Sequence, residues 1–335
     1  MKHGIILGIA LALGASPALA ATAFQVTLLD SDHSTKAKHV DPNLVDAWGL
    51  CQGPGSAPVW VSDNGTGLST VYAQGSGNVE PIVVTIPGGN PTGCAYNPTS
   101  GFKVTESSKS GAALFLFDSE PGIISGWSST VDALNAIVAY DGSAQGSAYK
   151  GLALDASNSL LFAADFTNDR IEVFNSSFVM TNSFTDKSLK HYGPFNVALL
   201  NGNLYVAFAK QGRGINEKDA PGLGAIDVFS ESGTLIQQLV APGGALNAPW
   251  GMTIAPSNFN EFAGALLVGN FGNGWVNAYD LGTGASLGTL NDKKGYPVTI
   301  PGLWALDPVP SNDITYSAGP NREKHGALGL ITVAN

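Results

Sequence analysis

The sequence predicts an all-β fold: six four-stranded sheets arranged radially as a six-bladed β-propeller. Three observations carry this expectation. First, residues 163–175, AADFTNDRIEVFN, return without a gap at residues 268–280, VGNFGNGWVNAYD, so that Asp165 answers to Asn270 and Phe174 to Tyr279. Second, the chain has 42 Gly and only 13% charged residues. Short Val/Phe/Tyr runs stand between Gly, Asn, Asp and Ser clusters, which favours strands and tight turns over helices. Third, six openings of one type recur: DAWGLC, NPTGCAY, YKGLAL, PFNVAL, APWGMTI and PGLWAL. Their pivots at Gly49, Gly93, Gly151, Asn196, Gly251 and Gly302 are 44, 58, 45, 55 and 51 residues apart, the length of a propeller blade.

From the N-terminus, a basic start at Lys2 and His3 precedes an apolar run from Gly4 to Leu13 and small residues at Ala18 and Ala20. This is the anatomy of a secretory leader over residues 1–20, with cleavage after Ala20 or as late as Ala23. The run is too short for a membrane span, so the expected location is secreted or periplasmic. FQVTLL, Phe24–Leu29, alternates like a strand but has no unit of its own, and the sixth unit lacks an outermost strand. It is expected to complete blade six and remove a free edge, giving one domain over residues 24–335. Residues 30–40 then read as a polar linker.

Within each unit a second strand follows the pivot (VWVSDN, LFLFDSE, LFAADF, LYVAFAK, LLVGNF, ITYSAGPN). A third follows (LSTVYA, IISGW, RIEVFN, AIDVFS, WVNAYD, LGLITV), and an amphipathic fourth in several units, such as EPIVVTI and TLIQQLV. Gly-Thr-Gly, Asn-Gly and Ser-Gly supply the hairpin turns between them. A pair of three-repeat domains would leave open sheet edges.

WVSDNGTGLSTVY, IPGGNPTG, ALNAPWGM, LLVGNFGNGWVNAYD, PGLWAL and AGPNREKHGALG together resemble a family of exported bacterial proteins of unassigned function with NHL-like propeller repeats, often associated with PEP-CTERM sorting systems. The resemblance spans nearly the whole chain after the leader and implies a six-bladed NHL-like propeller, but no reaction. The chain departs from that family at LFDSEPGIISGW, where a Thr-Glu-Asp-Gly turn would be expected. It also ends at ITVAN without a sorting tail.

A formal charge of −10 disfavours nucleic acid, and the Lys and Arg residues form no cluster. By repeat phase, Trp48, Thr92, Lys150, Phe195, Trp250 and either Leu303 or Trp304 should ring one channel mouth, with Lys210 beside them. Aromatics among a few polar groups suit a ligand site, so the expected activity is binding of a small molecule, glycan or protein by a monomer. The alternative is a divalent-metal-assisted hydrolase or lyase acting on a small ester or lactone. In that reading calcium or another divalent cation is held by Asp63, Glu120, Asp165, Asn270 and Asn321, a hard oxygen donor set. Such residues after a strand also cap turns. The polar stretch 317–329 offers His325 as a general base oriented by Glu323. Gly284-Ala285-Ser286-Leu287-Gly288 matches a nucleophile motif in letters only, because that motif needs a strand running into a helix. Cys51 and Cys94 fall at nearly matching points of adjacent units, so a disulfide is open to them in an oxidising compartment.

Overall fold

The computed structural model describes Met1 and residues 22–334. The leader expected over residues 1–20 lies outside the described residues apart from Met1. Five antiparallel four-stranded sheets, and a sixth that gains a short fifth strand, follow the sixfold repeat. Blade one runs Ala47–Gln52, Val59–Asp63, Leu68–Tyr72 and Val79–Thr85. Blade two runs Pro91–Tyr96, Phe115–Ser119, Ile123–Trp127 and Ile137–Asp141. The first strands of blades three to six are Tyr149–Leu154, Tyr192–Leu200, Pro249–Ile254 and Leu303–Pro308. These first strands pack against one another in cyclic order, and Leu303–Pro308 meets Ala47–Gln52 to shut the ring.

The N-terminal strand, Phe24–Ser31, pairs antiparallel with Ala327–Val333, with Phe24 opposite Val333 and Ser31 opposite Ala327. Blade six is thus built from both ends of the described chain, as the unpaired FQVTLL implied. Residues 30–40 are more than a linker. Asp30 and Ser31 are buried, and His39–Val40 adds a short parallel strand beside the closing one.

Burial explains the layering. The second strands are buried on both faces because neighbouring blades cover each side, as in Val59–Asp63 and Phe115–Ser119, where every residue is buried. The outermost strands face solvent, as in Met180–Phe184. Each pair of adjacent blades encloses its own apolar cluster, and a further cluster fills the axis.

The irregular repeat lengths also have structural causes. The long second unit carries an extra hairpin, Lys103–Glu106 with Lys109–Ala112. The long fourth unit carries residues 211–223 between its strands Asn203–Lys210 and Gly224–Phe229. Cys51 and Cys94 form a disulfide, with their Cα atoms 5.7 Å apart, tying the inner strands of blades one and two. Among the described residues, no helix is long and apolar enough to cross a membrane.

Candidate functional site

The aromatic pivots turn inward and fill the channel. Trp48, Phe195, Trp250 and Trp304 are buried in one cluster with Phe166. Trp48 and Trp304 stack with ring centroids 3.6 Å apart, and Trp250 meets both edge-on. Their polar edges are all satisfied, as buried indoles require. Asp46 accepts the indole N–H of Trp48 at 2.9 Å and of Trp304 at 3.0 Å, while Trp250 donates to the Lys150 carbonyl at 2.7 Å. Of the expected ring, Phe195, Trp250 and Trp304 do not line the cup described next, whereas Trp48 and Lys150 do. Flat apolar faces crowded around an axis bury one another, and what remains is a plug.

Above the plug lies a polar cup of about 180 Å3, lined by Asp46, Trp48, Asn64, Glu120, Lys150, Asn216, Glu217 and Glu323. Lys150 leaves the inner strand of blade three and stands 1% exposed between cup and plug. Its ammonium pairs with Glu120 and lies 5.1 Å from the Trp48 ring centroid, about 6 Å from Phe166 and Phe195. Glu120 also accepts from Asn64 Nδ2 at 3.3 Å. Four carboxyl groups thus face one buried cation.

Proton affinity rises accordingly. Burial, then the fields of Glu217 and Glu120, push Glu323 up to about 7, with Lys150 opposing. Burial raises Glu217 against the same opposing lysine. Burial and Glu323 raise Asp46 well above the usual carboxylate range despite its two indole bonds. Like charges gathered in one site favour the protonated forms.

The expected metal set does not converge. Asp165 accepts from the Ala148 amide at 3.1 Å and from Asn168 at 2.7 Å, and Asn270 accepts from the Asn247 amide at 3.1 Å. Both side chains anchor the segment entering their own blade, which is the structural content of the duplicated phrase. Asp63 is buried beneath and bonded by Thr70 at 2.7 Å. Asn321 is exposed in a tight turn of left-handed residues. Of the five, Glu120 alone lines the cup. Thr92 is spent on Asp118 and the Tyr149 carbonyl. Lys210 donates to the Lys190 carbonyl over the Tyr192 ring, outside the cup. Ser286 opens an outer strand, Ser286–Thr289, with no helix after it.

His325 is not oriented by Glu323. Its Nδ1 meets Asp32 Oδ2 at 2.8 Å, and its ring stacks on His33. In the turn before it, Asn321, Arg322 and Glu323 all have φ near +60°, and of the expected pair Glu323 alone lines the cup.

Asp46, Asn216 and Glu217 were missed. Asp46 stands two residues before the Trp48 whose indole it accepts, inside the opening DAWGLC, and nothing in the repeat marks it out. Asn216 and Glu217 sit in the extra residues of blade four, whose excess length was the one available signal. At the other end of the inner strands a larger cavity of about 380 Å3 is mostly apolar, with Leu152, Met252 and Leu306 in its wall. Asp307 is its one titrating group among the described residues, and burial pushes it up to about 7.

The fold and this site define a class: a six-bladed β-propeller with an aromatic plug across its axis and a carboxyl-rich cup above it. Solved propellers match it in fold. They include the WD40 domain of Doa1 (TM-score 0.53, 9% identity, 84% of this chain and 78% of that one) and Kuenenia stuttgartiensis hydrazine synthase (0.56, 13%, 86% and 78%). A streptogramin B lyase also matches (0.56, 11%, 95% and 100%). At these identities the likeness shows architecture alone. No family model matches the sequence. The chain belongs to the family of uncharacterised protein L690 of Acanthamoeba polyphaga mimivirus, to which it is 31% identical over 332 residues, covering 94% of this chain and 87% of that protein. Uncharacterised protein R648 of the same virus is 29% identical over 330 residues, covering 94% of this chain and 82% of that protein.

Proposed function

We propose that the protein is an exported binding protein whose axial cup takes a small ligand rich in hydroxyl or ammonium donors, such as the end of a glycan or an amine. The observation that carries this reading is the meeting of Glu120, Glu217 and Glu323 around one buried lysine in about 180 Å3. Ionised carboxylates are acceptors, an ammonium ligand draws raised carboxyls back to that form, and preorganised acceptors recognise donors. The volume suits one sugar ring or a short amine, not a folded partner. Export is supported by the leader-like start and by the Cys51–Cys94 disulfide, since disulfides persist in oxidising compartments.

The test is calorimetric titration with monosaccharides, amino sugars and small amines. Glu217→Gln and Glu323→Gln should each weaken the best ligand about tenfold, because a charge-assisted bond is lost. Saturable binding that ignores both variants would sink the reading.

A second reading rests on the convergence of Glu323 with Glu217 and Glu120 in one cup, where neighbouring carboxyls favour a shared proton that a general acid can give up. In that case water adds to the carbonyl carbon of a small ester or lactone and Glu323 gives its proton to the departing alkoxide oxygen as the C–O bond breaks, while a divalent cation such as calcium is the alternative occupant of the cup's oxygen donors. Turnover of a lactone panel, lost in Glu323→Gln, would select this reading over simple binding.

A further inference from the structure

We propose that His33, His325 and Asp32 form a second site, apart from the cup, that binds a divalent transition-metal ion of the zinc, nickel or copper kind. The two histidines come from opposite ends of the chain. Asp32 and His33 follow the closing strand Phe24–Ser31, and His325 follows the left-handed turn of blade six. Their rings stack with centroids 3.6 Å apart at 24°. Each Nδ1 lies 2.8 Å from a different oxygen of Asp32. One ligand atom from each residue falls within 4.8 Å of the others.

Donor type decides the metal. Two imidazole nitrogens and one carboxylate oxygen suit zinc, copper or nickel, whereas calcium and magnesium prefer all-oxygen shells. Around a tetrahedral ion with bonds of 2.0–2.1 Å, ligand atoms stand about 3.3 Å apart. The present contacts need to open by about half an ångström. The two stacked rings must also swing out of parallel, so that both in-plane Nδ1 lone pairs aim at one point. His33, 54% exposed, has room to do so, and water can take the fourth position. The Gly326 amide, 3.1 Å from Asp32 Oδ1, holds the carboxylate in place, the outer support that bound metals use.

The ion would tie the closing strand to the last blade and so staple the ring. It would also sit one backbone bond from the plug, because the His325 carbonyl accepts from the Asp46 amide at 3.2 Å.

The experiment strips the full chain with a chelator and titrates zinc against a competing indicator. One ion per chain should bind with micromolar affinity or better and raise the melting temperature by about 5 °C at hundredfold excess over Kd. Cobalt should give the visible bands of a four-coordinate nitrogen–oxygen site, and calcium and magnesium should shift nothing. His33→Ala, whose exposed ring is dispensable for folding, should cost at least tenfold in affinity, as should His325→Ala and Asp32→Asn. Glu217→Gln/Glu323→Gln should bind zinc normally, so failure of the cup reading leaves this site standing. No stoichiometric binding at about 100 μM zinc, or unchanged binding in folded His33→Ala/His325→Ala, would overturn the proposal.

Discussion

Trp48 and Trp304 stack at 3.6 Å across the first and last blades, and Asp46 takes the N–H of each on a separate oxygen. This pair closes the ring at the axis as Phe24–Ser31 closes it at the rim. Removing Trp304, which is wholly buried, should cost about 3–5 kcal/mol through lost burial and a residual cavity. Asp46→Asn keeps one acceptor and strands one indole, so about 1–3 kcal/mol is expected. Urea midpoints at constant m-value would measure both.

Lys150 and Glu120 test the cup's electrostatics. Lys150→Met leaves Glu120 facing Glu217 and Glu323 without its cation, and a loss of about 3–5 kcal/mol is expected for breaking such a pair. Adding Glu120→Gln should restore much of the stability without restoring ligand binding. A double-mutant cycle in urea reads the coupling.

Buried acids set the pH dependence. Burial, then Asp186, lifts Asp227 to about 8, and burial, then Asp41, lifts Asp30 to about 7. Burial alone lifts Asp307 to about 7. A carboxyl whose folded value exceeds its unfolded one binds more protons when folded, so its stabilising effect is lost as pH rises through the folded value. Stability should therefore fall between about pH 5 and pH 9, with a melting temperature lower by roughly 5 °C or more at the alkaline end. Calorimetry across that range checks this, and Asp227→Asn should flatten the slope.

The Cys51–Cys94 disulfide closes a loop with a sequence separation of 43. In the chain-entropy model that is worth up to about 4 kcal/mol. Cys51→Ala/Cys94→Ala should lose about 2–4 kcal/mol in denaturant while keeping the far-ultraviolet spectrum of the fold.

Phe24 is 1% exposed and packs 5.0 Å from Phe259 and 6.0 Å from Phe262, so the closing strand is anchored across blades five and six. Phe24→Ala should cost about 3–5 kcal/mol. Deleting residues 22–31 should bare the Ala327–Val333 edge and drive association, visible by light scattering.

The blades were legible because each is a local object. Asp165 and Asn270 recur because the same short-range capping problem recurs in blades three and five, and the pattern of apolar and turn residues records it. The unpaired strand at Phe24 was legible for the same reason, as one piece left over from a repeating count. The site was legible only in part. Lys150 was singled out as a mouth residue and Glu120 as a candidate cation ligand, but Trp250 and Trp304 looked the same in sequence whether they faced a ligand or one another.

The sequence by itself determined the number of blades, their strand order and how the ring shuts, since alternation and turn chemistry act over a few residues. Tertiary structure alone decided what meets at the axis: the plug, the cup with Glu217 reaching in from an extended connection, and His325 against an Asp32 that lies 293 positions away. The physical reason is range. Hydrogen-bonded hairpins are specified by neighbours in the chain, whereas charge, stacking and burial at the hub depend on six separate segments arriving together.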